Sequence, residues 1–100
     1  MNIVYEYVNV SACDHLESLI QEKLDKLQKK YPFVQRGDVF LKKSNKDYDQ
    51  QHHCGIRLSL PGPQIYASSD EPSFEEAISE TVRDLNDQLE RTKSKMKNTK

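Results

Sequence analysis

The alternating segment that begins at Cys54 is the feature that most restricts how this chain can fold. In CGIRLSL, which starts at Cys54 and ends at Leu60, every second residue is apolar, and glycine, arginine and serine lie between them. A period of two is typical of a β-strand with one buried face. The Pro61-Gly62-Pro63 turn follows at once, and QIYAS then predicts a strand that returns beside the first. The chain is therefore expected to contain a hairpin in a sheet that is covered on one side.

The first part of the chain predicts a strand followed by a helix. Residues 3–10, IVYEYVNV, are rich in the β-branched and aromatic side chains that favour strands. Ser11 is the expected N-cap of the helix, with Asp14 in the matching position of a capping box. Pro32 predicts that the helix ends near Lys30, because proline cannot donate a backbone hydrogen bond. The apolar stripe of this helix is predicted to contain Leu16, Leu19, Ile20, Leu24, Leu27 and Tyr31.

The rest of the chain predicts three strands and a second helix. Gly37 introduces a strand over residues 38–43, and the polar segment SNKDYDQQ then predicts a loop before the hairpin. The last helix is expected to begin at Pro72 or Ser73. Its apolar stripe is predicted to contain Phe74, Ile78, Val82, Leu85, Leu89 and Met96.

The elements therefore occur in the order β-α-β-β-β-α. A strand–helix–strand start predicts a parallel pair joined by a right-handed crossover, and the short turns that follow predict antiparallel strands. Each helix has a single apolar stripe, so both are expected to cover the same face of the sheet. The sequence thus predicts an α+β fold, with a mixed four-stranded sheet and two helices packed on one face.

Length and composition are those of one small globular domain, with 100 residues, 35% hydrophobic and 31% charged. No apolar run approaches the roughly 20 residues that a membrane-spanning helix needs, and the N-terminus MNIVYEYV has no signal-peptide pattern. Cys13 and Cys54 form neither a disulfide framework nor a CxxC pair, which favours reduced thiols in the cytoplasm. We expect one domain over residues 1–97 and a frayed tail over residues 98–100.

Charge is distributed unevenly along this chain, whose formal net charge is −1. Ten basic and sixteen acidic side chains precede Arg91, whereas the final segment RTKSKMKNTK has five basic residues and no acidic one. Within the first part, residues 70–90 hold eight carboxylates and a single basic residue, Arg83. Recognition of nucleic acid depends on local patches of charge, so the small net charge does not exclude it.

No catalytic or metal-binding pattern is found. His53 and Cys54 are neighbours on a predicted strand and would point to opposite faces, so with His52 they do not complete a metal site. Serine, histidine and aspartate are scattered without a catalytic motif, so we expect neither an enzyme nor a cofactor. Tyr5 and Tyr7 share one strand face, and packing is the more common role there than stacking on bases.

Three stretches, taken in order, resemble the ribosome hibernation-promoting factors, also called ribosome-associated inhibitors or sigma-modulation proteins. The stretches are VNVSACDHLESLIQEKLDKL, DVFLKK and IRLSLPGPQIYASSDEPSFEEAISETVRDLNDQLERTKSK. The most specific part is a strand, a Pro-Gly turn, a strand ending in Ala-Ser, an acidic turn and an aromatic-x-x-Ala-Ile helix start. The chain resembles the short form, which lacks the C-terminal dimerisation domain of long members.

This resemblance implies a domain similar to a double-stranded-RNA-binding module that occupies the decoding channel of the small ribosomal subunit. There it would cover the A and P sites and exclude transfer RNA and messenger RNA, silencing ribosomes in stationary phase or stress. It implies a cytoplasmic protein that binds ribosomal RNA, is monomeric off the ribosome, catalyses no reaction and binds neither DNA nor a membrane.

Residues Lys23, Lys26 and Lys30 fall within about 60° of arc on the first helix, beside its apolar stripe. Such a row can neutralise successive phosphates. Spacing alone favours the other interpretation, in which the lysines lay their methylenes on the core edge and keep the ammonium group in water. The resemblance favours contact with RNA, because Lys23 and Lys26 match positions that are basic in many family members.

Further basic residues match the family pattern at the end of the second strand and at the end of the last helix. Lys42 matches a common lysine and, with Lys43, leads to Lys46 in the loop; a charged strand end also protects a sheet edge from aggregation. The rRNA-binding residues that the resemblance implies are Lys23, Lys26, Lys30, Lys42, Arg91, Lys93, Lys95 and Lys97.

The last helix departs from the family at Asp84 and Asp87, where members commonly have basic residues. Helical periodicity predicts one acidic solvent face opposite Leu85, which would repel phosphates along the middle of the helix. Pairs such as Glu80 with Arg83 and Asp87 with Arg91 would neutralise part of it. An alternative is therefore a protein-interaction module of the same fold, with weakened or lost rRNA binding, whose acidic face contacts a basic ribosomal protein. The residues of that face are Glu76, Glu80, Arg83, Asp87 and Glu90.

Overall fold

A computed structural model describes residues 1–43 and 52–98 of the chain, with side chains as far as Lys95. Its elements occur in the predicted order β-α-β-β-β-α. The predicted loop over residues 44–51, with Lys46, lies outside the described residues, as do residues 99 and 100 of the predicted tail. The elements are β1 (Asn2–Val8), α1 (Asp14–Lys30), β2 (Arg36–Lys43), β3 (His52–Ser59), β4 (Gln64–Glu71) and α2 (Phe74–Asn98).

The four strands form one mixed sheet in the spatial order β1-β2-β3-β4. Strand β1 pairs with β2 in parallel, and β2–β3 and β3–β4 are antiparallel, as the connection lengths predict. The register aligns Tyr5 with Val39, Val39 with Ile56, and Ile56 with Ala67. Because side chains alternate along a strand, this row of residues shares one face of the sheet.

Both helices pack on that face and enclose the hydrophobic core. Helix α1 buries four of its predicted stripe residues, and α2 buries Ile78, Leu85 and Leu89. The fold prediction is therefore confirmed. Leu19 and Val82 are only partly buried, because each lies at the edge of its stripe. The fully enclosed side chains that join the layers include Tyr31, Ile20, Leu24, Leu41, Ile56, Leu58, Ile78, Leu85 and Leu89.

The predicted N-cap of α1 is wrong. The helix begins at Asp14, and Cys13 occupies the N-cap position without a side-chain hydrogen bond. The chain leaves β1 through Asn9, whose φ of 58° is a left-handed conformation that asparagine adopts more readily than most residues. This turn delays the first helical residue beyond Ser11. Asp14 and Glu17 still place negative charge near the positive end of the helix dipole.

The start of α2 is fixed by a reciprocal interaction between Ser73 and Glu76. The backbone N–H of Glu76 donates to Ser73 Oγ at 3.2 Å, and the hydroxyl of Ser73 lies 3.2 Å from Glu76 Oε2. Ser73 therefore satisfies one of the backbone donors that every helix leaves unpaired at its N-terminus.

We expect Ser73→Ala to lower the free energy of unfolding by about 1 kcal/mol, because that backbone donor loses its partner. Urea denaturation followed by circular dichroism measures the change. Ser79→Ala is the matched control, since Ser79 is exposed within the same helix and alanine is the better helix former. Equal losses for the two variants would contradict a capping role for Ser73.

The opposite face of the sheet is not covered by either helix and has its own side-chain contacts. Asp38 is held by Arg36 at 3.0 Å and by Arg57 at 3.3 Å, and the guanidinium of Arg57 also lies over the ring of Phe40. Tyr66 crosses Gly55 so closely that a Cβ at this glycine would lie 2.4 Å from the tyrosine hydroxyl. This surface, the open face, is thus organised by contacts among its own residues.

Candidate nucleic-acid interface

A groove of about 330 Å³ runs between the two helices. Of the seven described residues that line it, four have cationic side chains and none has a carboxylate. Two apolar side chains and one amide complete its walls. A concave site with several cations and no anion is suited to a polyanion. We call this site the basic groove; it is lined by Lys23, Lys26, Leu27, Lys30, Val82, Arg83 and Asn86.

The lysines of the basic groove come from one flank of α1. Leu27 is buried in the core, and the three lysines follow the border of the same apolar stripe on successive turns. Lys26 pairs with Glu22 at 3.6 Å, but both side chains are largely exposed, so water screens this pair. Lys23 has no ion pair among the described residues. The predicted lysine row therefore lies together in the groove, where Lys23 is unpaired among the described residues, Lys26 has a screened pair and Lys30 is paired with Glu90.

Arg83 is a groove residue that helical periodicity alone does not identify. It is exposed, as its predicted place on the solvent face requires, and it also lines the basic groove opposite the lysines of α1. It keeps the predicted pair with Glu80, at 3.5 Å. The sequence does contain a signal for this flank of α2. A spacing of three or four residues places Arg83, Asn86, Glu90 and Lys93 in one row along the helix.

Asp84 lies on the other flank of α2, away from the basic groove. Its carboxylate accepts a hydrogen bond from Gln88 at 3.3 Å, and Gln88 also donates to the backbone carbonyl of Tyr66 at the edge of β4. The predicted pair between Asp87 and Arg91 does not form in the part of the chain that the structure describes. The residues of the predicted acidic face are all exposed on α2, and Asp84 is not one of them; they are Glu76, Glu80, Arg83, Asp87 and Glu90.

The Tyr31 cluster, which consists of Tyr31, Glu90, Lys30 and Lys93, adjoins the basic groove through Lys30. Tyr31 donates to Glu90 Oε1 at 2.5 Å, and Lys30 Nζ lies 3.4 Å from the same oxygen. These hydrogen bonds, with the nearby charge of Lys93, lower the pKa of Glu90. Burial and the hydrogen bond to Glu90 raise the pKa of Tyr31. The cluster ties the end of α1 to α2 and concentrates two ammonium groups around one carboxylate.

Comparison with known proteins places the chain in a family. The family model for sigma 54 modulation protein / S30EA ribosomal protein matches residues 3–97, which is nearly the whole chain. The chain belongs to this family. Membership in the S30EA family makes it a ribosome-associated protein that takes part in the regulation of translation.

Solved structures show the same fold as this S30EA family member. A ribosomal subunit interface protein from Coxiella burnetii has a TM-score of 0.84 at 18% identity, over 94% of this chain and 99% of that one. The N-terminal domain of Protein Y from Thermus thermophilus has a TM-score of 0.79 at 22% identity, over 92% and 99%. A search of curated protein sequences found no significant match.

The other basic residues expected to bind rRNA in this S30EA family chain are not all near the basic groove. Lys42 lies on the open face of the sheet, where it is paired in register with His53. Arg91 and Lys95 lie on exposed parts of α2, and Lys97 lies within the helix but beyond the described side chains. Lys93 lies over the ring of Tyr31, next to Lys30 of the groove.

Tyr5 and Tyr7 pack against α1, as the sequence analysis favoured. The hydroxyl of Tyr5 donates to the backbone carbonyl of Glu17 at 3.2 Å, and that of Tyr7 donates to the Glu17 carboxylate. Burial, followed by this hydrogen bond, raises the pKa of Tyr7 to about 12. Beside them lies an acidic groove of about 480 Å³, lined by Tyr5, Glu17, Ser18, Gln21, Glu22 and Asp25. Helix α1 therefore has a basic flank toward α2 and an acidic flank toward β1.

His53 and Cys54 point to opposite sides of the sheet, as predicted. Cys54 is buried in the core, where desolvation raises the pKa of its thiol to about 12. His53 instead contacts Asp70 at 2.9 Å on the open face. Within residues 1–43 and 52–98, no cluster of metal-ligating side chains is found, and no helix has the length and hydropathy to cross a membrane.

Proposed function

We propose that this protein binds the small ribosomal subunit in the decoding channel, over the A and P sites, and inhibits translation by excluding transfer RNA and messenger RNA. Membership in the S30EA family supports the ribosome as its target. The observation that carries the proposal is the convergence of Lys23, Lys26, Lys30 and Arg83 from two helices on one groove. Cations on two facing helices can contact a phosphate backbone from both sides, which a single row on one helix cannot.

The proposed mechanism is steric and requires no reaction. Lysines one helical turn apart are separated by about 5 Å along the axis and can meet successive phosphates. Such contacts recognise the shape and backbone of RNA rather than its base sequence. The protein would act in the cytoplasm as a monomer, without a cofactor and without binding DNA or a membrane.

Sedimentation with purified small ribosomal subunits at graded salt tests this proposal. If the four cations of the basic groove each contact one phosphate, the logarithm of the affinity should fall with the logarithm of salt concentration with a slope of about 3 to 4. The affinity should then drop roughly 100-fold between 50 and 200 mM salt. Addition of messenger RNA and transfer RNA to the subunit should displace the protein. Absence of binding at low salt would overturn the proposal.

The alternative is a protein-interaction module, and a second acidic groove favours it. Four carboxylates line this groove at the junction of β4 and α2 and offer a surface for a basic ribosomal protein; they belong to Glu71, Glu75, Glu76 and Glu80. Binding to ribosomal RNA freed of protein separates the two functions. Retained binding supports the RNA interface, and loss of binding to free RNA with retained binding to the subunit supports the protein interface.

A further inference from the structure

The Tyr31 cluster surrounds one carboxylate with donors of the kind that bind phosphate. The Tyr31 hydroxyl and the Lys30 ammonium both contact Glu90 Oε1, at 2.5 Å and 3.4 Å. The ammonium groups of Lys30 and Lys93 lie 5.4 Å and 5.9 Å from the centre of the Tyr31 ring, so both are close to its hydroxyl-bearing side chain. A hydroxyl and one ammonium group therefore meet at a single anionic position, and the charge of Lys93 lies close enough to help lower the pKa of Glu90.

We propose that this position is a phosphate-binding site that Glu90 occupies until a phosphate of the bound RNA displaces it. The inference rests on the proposed function, since it extends the basic groove by one anion site. The Tyr31 ring is fully buried, which fixes the hydroxyl in place, whereas Lys30 and Glu90 are 53% and 52% exposed. Glu90 can therefore turn into solvent while the Tyr31 hydroxyl stays in place, and a phosphate oxygen can then take the position of the carboxylate beside Tyr31 and Lys30.

The exposure of the ion pair argues against a purely structural role for Glu90. Ion pairs of this kind add little to stability, because water screens them and two flexible side chains must be ordered. Their effect on binding is larger, since any incoming anion must compete with the internal carboxylate. Phosphate can bind only when Glu90 has left the site. Glu90 therefore lowers the apparent affinity of the site for phosphate.

The test is a titration of the intact chain with inorganic phosphate, followed by NMR of the Lys30 and Lys93 ammonium-bearing side chains. Glu90→Gln should bind phosphate about tenfold more tightly than the unmodified chain, the scale of one hydrogen bond to a charged group. Asp87→Asn is the matched control, because it removes the same charge from an exposed position on the same helix. Asp87→Asn should bind phosphate as the unmodified chain does.

Two results would overturn the inference: Glu90→Gln binding phosphate no more tightly than Asp87→Asn, or Tyr31→Phe leaving the gain in Glu90→Gln unchanged. Thermal unfolding checks that each variant is folded. If Glu90→Gln is unfolded, Glu90→Asp replaces it. The shorter side chain keeps the charge but lies farther from the Tyr31 hydroxyl, so this variant should also bind phosphate more tightly than the unmodified chain. Phosphate binding is measured without ribosomes. The proposed function can therefore fail while this site is upheld, and this site can fail while the proposed function is upheld.

Discussion

Reversal of Lys23 and Lys26 to glutamate is expected to weaken binding to the small ribosomal subunit by about 100-fold or more, because two hydrogen bonds to charged groups are lost and two repulsions replace them. Both side chains line the basic groove. Lys30 is left unchanged, since a glutamate there would lie against Glu90 and disturb the contact between the helices. The fold should persist, because the described ion pair that these changes remove is that between Lys26 and Glu22. Both of its side chains are largely exposed, so it adds little to stability.

The control for this experiment is the double variant Lys29→Glu, Lys43→Glu. It changes the net charge by the same amount, and both side chains are exposed outside the basic groove. Sedimentation at low salt, with circular dichroism to confirm the fold, compares the two variants. Similar losses in both would mean that total charge rather than the groove governs binding, and full binding by the Lys23 and Lys26 variant would remove this groove from the interface.

Leu85→Ala is expected to cost about 2–5 kcal/mol of unfolding free energy, because it opens a cavity in a closely packed core. Leu85 is fully buried in the cluster that joins α2 to the sheet. For a domain of this size each kcal/mol corresponds to about 4–8 °C, so the melting temperature should fall by roughly 8–40 °C. Differential scanning calorimetry measures the change directly.

Leu19→Ala provides the comparison, since it is the same substitution on a helix at a position that is only partly buried. Its cost should be clearly smaller, because less apolar surface leaves the core and solvent can fill the space. A loss equal to that of Leu85→Ala would show that the packing around Leu85 is no tighter than that at the edge of the helix. Since α2 positions Arg83, ribosome binding by Leu85→Ala should fall as the fraction of folded protein falls.

The apolar patterns predicted the fold well because they report directly on burial. The alternation that begins at Cys54 and the stripe through Leu24 each identify the face that meets the core, and together they fix the layers. Ser11 was assigned wrongly because a good capping residue does not reveal how long the preceding turn must be; the left-handed Asn9 determines that. Local sequence identifies elements better than their first residues.

The site was predicted less completely, because a groove depends on how two helices face each other. The lysine row of α1 was evident from spacing alone. Arg83 and Glu90 are exposed, as periodicity predicts, but periodicity does not show which flank of α2 lies next to α1. Tyr31 was recognised as a core residue, and its hydroxyl contact with Glu90 joins positions far apart in the chain.

The opposite charges on the two flanks of α1 have a consequence for the kinetics of association. With a net charge of −1, the protein as a whole is not attracted to a polyanion, so attraction depends on its orientation. A molecule that approaches RNA with the acidic groove first is repelled, and one that approaches with the basic groove first is drawn in. This electrostatic torque acts only within a Debye length, which is about 8 Å at physiological ionic strength. Added salt should therefore lower the association rate more than it raises the dissociation rate.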